Sequence, residues 1–106
     1  MNKRIEFNYK GTDYILEYNR KAIEYIERQG FSISELASKP MLMLPMAFSG
    51  LFFKNHKNAR KSEIDEIYDN IKNKDKLIET IADMLNEAYS TLQEDNQEGN
   101  IDWKVI

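Results

Sequence analysis

Apolar and polar residues change their period several times along the chain, and each change marks an element. In "RIEFNY" the apolar positions alternate at Ile5, Phe7 and Tyr9, and in "YILEY" at Tyr14, Leu16 and Tyr18. Period two is the signature of a half-buried strand. The two runs flank Gly11, so they read as a hairpin over 3–18. A two-residue turn at Gly11-Thr12, with glycine first as a type II′ turn prefers, sets Tyr9 against Tyr14, Phe7 against Leu16 and Ile5 against Tyr18. Lys10 then pairs with Asp13, and Glu6 opposite Glu17 is the one local conflict. A lone hairpin is marginal, so its apolar face must pack on helices or gain a third strand.

After Tyr18 the period changes to that of a helix. Asn19 is a good N-cap, and Tyr18 and Ile23 fit a hydrophobic staple. Ala22, Ile23 and Ile26 form the inner face of a helix over 19–29, with Tyr25 at its edge. Gly30 stands where a left-handed C′ residue is needed, with Phe31 folding back on Ile26 in a Schellman arrangement. In "SISELASKP", Ser32 and Glu35 read as the capping box of a short helix over 32–38. Pro40 disfavours helical geometry at Lys39.

From Met41 to Phe53, nine of thirteen residues are Met, Leu or Phe. Two prolines bracket "MLML", and Pro45 suits a first helical turn. Residues 41–44 are therefore expected to be extended or irregular, and 45–57 helical. Met46, Ala47, Phe48, Leu51, Phe52 and Phe53 cover most of that helix's circumference, which places it centrally. Ser49 and Gly50 are small enough for another backbone to approach.

Ser62, with Asp65 at N3, is the expected cap of a helix over 62–73 carrying Ile64, Ile67, Tyr68 and Ile71. "NKD" at 73–75 breaks the chain. A last helix over 75–92 carries Leu77, Ile78, Ile81, Leu85, Ala88, Tyr89 and Leu92. One helix across 62–92 is the alternative, because positions 64, 71, 78, 85 and 92 form an Ile/Leu heptad seam. Lys74 interrupts the second seam, which favours the break. "EDNQEGN" is a linker by composition. In "IDWKVI", Ile101, Trp103 and Val105 alternate with Asp102 and Lys104, so this segment reads as a third strand, in its own chain or a neighbour's, or as a frayed end.

The expected architecture is α+β, mostly α: one domain over 1–94, a hairpin packed on about four helices, followed by an acidic linker and tail over 95–106. With 106 residues, such a chain buries roughly two thirds of its unfolded surface. Charge is uneven. Residues 1–61 hold 11 Lys/Arg against 6 Asp/Glu, a net of +5, and residues 62–106 hold 4 against 12, a net of −8. Complementary solvated faces within one fold are one reading; salt-dependent head-to-tail attraction between copies is the other.

Chemistry is scarce. The sequence has no Cys, so disulfides and thiolate metal sites are excluded. The opening residues show no apolar signal segment, and no run reaches the roughly 20 apolar residues of a membrane span. The one His, His56, has no nucleophile beside it and reads as solvated. Asp83 with Glu87 and Glu79 with Asp83 stand at i, i+4, but Lys and Asn flank them, so they read as a solvated face. No glycine-rich phosphate loop is present. Lys54, Lys57, Arg60 and Lys61 are too few and too local for strong nucleic-acid binding. The expectation is therefore no enzyme, no catalytic or metal residues, no cofactor, no nucleic acid and no membrane. What remains is protein interaction. Three of the five methionines lie within Met41–Met46, and Met suits adaptable surfaces. Met41, Leu42, Met43, Leu44, Met46, Phe48 and Phe52 are the candidate partner-contacting residues. Residues 46–53 read chiefly as core; for 41–44, burial and exposure to a partner both stay open.

The order of elements resembles a known family. A hairpin with Phe7, Tyr9, Gly11, Tyr14 and Leu16 leads into "AIEYIERQGFSISEL", then an apolar central helix, "SEIDEIYD" and a long acidic helix. Over residues 5–92 this is similar to the tail assembly chaperones of long-tailed phages and prophages of Gram-positive bacteria. The resemblance lies in element order and apolar pattern, since that family has no catalytic motif. It implies a non-enzymatic protein of the host cytoplasm that self-associates. Its client would be the tape measure protein, with the tail tube protein as a further partner. A frameshifted longer form is a further implication. The alternative is a small phage-encoded regulatory or inhibitory protein that binds a host protein.

Overall fold

The computed structural model describes residues 3–91 and 99–106. The expected linker lies largely outside them, as does Leu92. Two antiparallel strands, β1 (Ile5–Tyr9) and β2 (Thr12–Leu16), precede four helices: α1 (Arg20–Arg28), α2 (Pro40–Gly50), α3 (Lys61–Asn70) and α4 (Lys74–Ser90). A single 3-10 turn, Ile33–Glu35, joins α1 to α2. The fold is α+β and mostly helical. Residues 99–106 form no strand and are exposed throughout.

The hairpin register differs from the one expected. Tyr9 pairs with Thr12, Phe7 with Tyr14 and Ile5 with Leu16. The turn is Lys10-Gly11, with φ of 50° and 83°, as a type I′ turn requires at both central positions. Moving the turn by one residue shifts each partner by two, so the inward face is unchanged. Alternation therefore specifies the face but leaves this shift open. Tertiary contacts decide it. Tyr18, expected in the sheet, leaves it, and its hydroxyl donates to the Ala47 carbonyl at 2.5 Å. The Glu6–Glu17 conflict disappears: Glu6 meets Arg4 at 2.6 Å and Glu17 meets Lys54 at 3.2 Å. Asp13 pairs with Asn8 instead of Lys10.

Helix α1 follows local rules. The Asn19 side chain accepts from Ala22 N–H at 2.8 Å. At its end Phe31 N–H donates to the Ile26 carbonyl and Gly30 N–H to the Glu27 carbonyl, the two bonds of a Schellman motif. Gly30 has φ +109°, in the region glycine accommodates. The capping box at Ser32 does not form: the Ser32 hydroxyl meets Ser34, and Glu35 turns to Lys39.

Helix α2 begins five residues earlier than expected. Lys39 is non-helical, as the following proline dictates, and Pro40 itself takes the N1 position. The rule that favours proline in a first turn applies to Pro40, not Pro45. Pro45 sits inside the helix. Lacking an N–H, it leaves the Met41 carbonyl without its helical donor. Met41 is 92% exposed, so water can serve that carbonyl. The helix closes at Gly50, short of residue 57, because Leu51, Phe52 and Phe53 donate to carbonyls three residues back.

Helix α2 is the centre of the fold: α1, the 3-10 turn, α3 and α4 all pack on it. Phe48, Phe52, Leu16, Ile26, Met43, Leu51, Ile81 and Leu85 are the largest fully buried side chains apart from smaller neighbours. The break between α3 and α4 is real. Ile71 caps α3 in extended geometry and Asn73 is left-handed at φ +59°. The α3 cap is Arg60, two residues before Ser62, because Glu63 reaches back to accept the Arg60 N–H at 3.0 Å.

A clamp ties the hairpin to α3. The Tyr9 hydroxyl and the Lys10 ammonium both reach the Glu66 carboxylate, at 2.5 and 2.7 Å. Lys10, then Tyr9, holds Glu66 below its ordinary value of 4.5 by hydrogen bonding. The folded state then binds fewer protons than the unfolded one, so this contribution is present above 4.5 and is lost as pH falls below it. Glu66→Gln is expected to be less stable than the parent at pH 7, with the difference shrinking as pH falls through that window. Urea unfolding followed by far-UV circular dichroism at pH 7 and pH 3 checks this; an equal difference at both sinks it.

Candidate functional site

The prolines place the first turn of α2 at the surface while its later turns are buried. Met41 is 92% exposed and Leu42 55% exposed, whereas Met43 is 2% exposed. Leu44 and Met46 are half-buried. The seven candidate residues thus separate. Met43, Phe48 and Phe52 are core, and a partner cannot reach them in this conformation. Phe48 lies against the rings of Phe52 and Tyr68, at 5.3 and 5.1 Å. Met43 holds the turn before α2 in place, its Sδ accepting from Ser32 N–H at 3.4 Å. Met41 and Leu42 form an exposed apolar step, with Leu44 and Met46 behind it. The helical spacing of 41, 42, 44 and 46 around a buried Met43 follows from one face turned inward.

A groove of about 370 Å³ lies between Lys3 before β1, the N-terminus of α1 and the end of α4, and a smaller hollow of about 200 Å³ lies where the hairpin meets α3. In the groove, Ile23, Met84 and Ala88 supply apolar wall, and Glu24, Glu27 and Glu87 supply acid. Tyr89 donates to Glu27 at 2.5 Å. Burial first, then that carboxylate, pushes the Tyr89 phenol well up. Burial does the same to Tyr18. Neither phenol is poised for proton transfer near neutrality.

Among the described residues no group of three or more His, Asp or Glu converges as a metal site. Asp83 meets Lys3 at 3.1 Å. The basic connector is dispersed rather than displayed. Lys54 pairs with Glu17, Lys61 with Asp65 at 2.7 Å, and Lys57 lies over the Phe53 ring. His56 is not merely solvated: its Nε2 accepts Ile15 N–H at 3.0 Å, and its ring lies 5.0 Å from Tyr14. No local pattern signals this role, because Ile15 lies 41 residues away; the backbone N–H of His56 donates to the Phe52 carbonyl. No helix among the described residues is long and apolar enough to cross a membrane.

These features define a small α+β domain: a two-stranded hairpin on helices, with exposed apolar residues at the start of α2 and again along residues 101–106. The chain belongs to a family described as a domain of unknown function, DUF5055, which matches residues 1–106. No curated protein and no solved structure matches it.

Proposed function

We propose that this is a non-enzymatic tail assembly chaperone, acting in the host cytoplasm, that holds the tape measure protein soluble during phage tail assembly. The observation that supports this reading is the first turn of α2. Met41 and Leu42 are turned to solvent from a helix that Met43, Ala47 and Phe48 anchor in the core. A long amphipathic helical client offers apolar ridges, and flexible Met and Leu side chains on a rigid base can fit ridges of varied shape. The resemblance in element order points to the same client.

Co-expression with a tape measure fragment tests the reading. The fragment is expected to become soluble and to co-purify. Met41→Lys combined with Leu42→Lys is expected to abolish co-purification while leaving the far-UV circular dichroism and melting temperature close to those of the parent, since both side chains are exposed. A fragment that stays equally insoluble with the parent chain overturns the client. Undiminished binding by the double variant overturns the surface.

A further inference from the structure

The two outer edges of the hairpin are finished differently. With the turn at Lys10-Gly11, the pairs Tyr9–Thr12, Phe7–Tyr14 and Ile5–Leu16 exchange hydrogen bonds, and the residues between them turn their N–H and C=O groups outward. On β2 the loop after α2 covers the edge at Ile15 and Glu17, leaving only Asp13 outward. His56 Nε2 accepts Ile15 N–H, Asn55 Nδ2 donates to the Ile15 carbonyl at 3.1 Å, and Glu17 N–H donates to the Leu51 carbonyl at 3.3 Å. On β1, no backbone partner among the described residues meets the outward groups of Glu6 and Asn8.

The inner face shows the same asymmetry. On β2, Tyr14 is 8% and Leu16 0% exposed. On β1, Ile5, Phe7 and Tyr9 pack on the core yet stay half-exposed. The sheet is one strand short on the β1 side. The chain also carries a strand pattern with nothing against it: Ile101, Trp103 and Val105 are 83%, 80% and 87% exposed. In its own copy the segment lies exposed and leaves β1 uncovered, so a second copy is the source of the missing strand. Local charge does not oppose the contact: β1 carries Glu6 alone, and residues 101–106 carry Asp102 and Lys104.

We propose that residues 101–106 of one copy add as a third strand to the outer edge of β1 in a second copy, joining copies head to tail. Main-chain hydrogen bonds to Glu6 and Asn8 supply the pairing. Alternate residues of the added strand, Ile101, Trp103 and Val105, cover Ile5, Phe7 and Tyr9. Because donor and acceptor surfaces differ, the contact is heterologous and repeats from copy to copy. It involves neither Met41 nor Leu42, so it is tested apart from the client.

Trp103 is the one tryptophan, so its fluorescence reports this segment alone. The full chain is followed by tryptophan emission and sedimentation velocity over a concentration series. Emission is expected to shift to the blue as concentration rises, in step with species heavier than a monomer. Asn8→Pro removes an outward donor at an edge position where proline is tolerated. Val105→Asp puts a charge on the face of the added strand that meets the half-exposed Ile5, Phe7 and Tyr9, whichever way that strand runs, in an exposed segment that the core does not use. Each is expected to raise the concentration for half-assembly by about tenfold or more, equivalent to ~1.4 kcal/mol. Val105→Asp keeps the test decisive if Asn8→Pro fails to fold. Three results overturn the proposal: a blue emission independent of concentration in a monomer, which places the segment on its own chain; an exposed-tryptophan emission at every concentration; or assembly unchanged in Val105→Asp.

Discussion

Phe48→Ala is expected to lower the unfolding free energy by ~3–5 kcal/mol, the range for an aromatic removed from a packed core. Phe48 is 0% exposed and lies on α2, the helix on which all the others pack. Its ring contacts Phe52 on its own chain segment and Tyr68 on α3, so the void opens between two helices. Neither neighbour can collapse into it freely. Phe52 is also turned against Tyr14 of β2, with ring centroids 5.7 Å apart. A loss of this size is a large share of the ~5–15 kcal/mol typical of a whole domain. Urea unfolding followed by far-UV circular dichroism measures it. Trp103, at 80% exposure, is not a probe of the core. A loss under about 1 kcal/mol, the scale of an ordinary surface substitution or less, contradicts the central placement of α2.

Gly50→Ala is expected to destabilise by ~1–3 kcal/mol, the range for overpacking, although alanine is the better helix former. A Cβ at Gly50 would stand 2.7 Å from Ile26 Cγ2, well inside contact distance. Ile26 is itself 0% exposed, and its methyl branch lies next to the backbone and cannot swing aside cheaply. The small side chains of Ser49 and Gly50 imply a close approach there. At Gly50 the approaching group is a side chain of α1 rather than a backbone. Ser49 instead donates to the Met46 carbonyl at 2.8 Å. A double-mutant cycle isolates the contact. In an Ile26→Ala background, itself expected to cost ~2–5 kcal/mol, the added penalty of Gly50→Ala should fall toward zero. Equal penalties in both backgrounds would refute the steric account.

Both variants probe the long-range contacts that periodicity cannot specify. Legibility tracks the distance over which a feature is decided. The Asn19 cap and the Gly30 Schellman closure involve residues within six positions of each other, and both were readable. The break at Asn73 was readable because Lys74 interrupts an apolar seam. The cap of α3 was misplaced by two residues, since Ser62 and Arg60 both precede a carboxylate at N3 and only geometry chooses Glu63. The exposed step was half legible. Met41 and Leu42 stood among the candidates, but so did Met43, Phe48 and Phe52, which the packing of α2 buries. The role of His56 is not legible locally, because its partner, Ile15, lies 41 residues away.

Taken alone, the order of residues determined the types of β1, β2, α1, α3 and α4, the inward face of each strand and the caps of α1. Alternation, helical period and capping act on neighbours along the chain, and no tertiary contact is needed to read them. Tertiary structure decided the rest. The hairpin register depends on Tyr18 leaving the sheet for the Ala47 carbonyl. The start of α2 at Pro40 depends on burying Met43, which carries the helix through Pro45. The open edge of β1 exists because the loop after α2 reaches β2 instead. Each of these is a choice between local arrangements of similar energy, made by contacts between residues far apart in the chain.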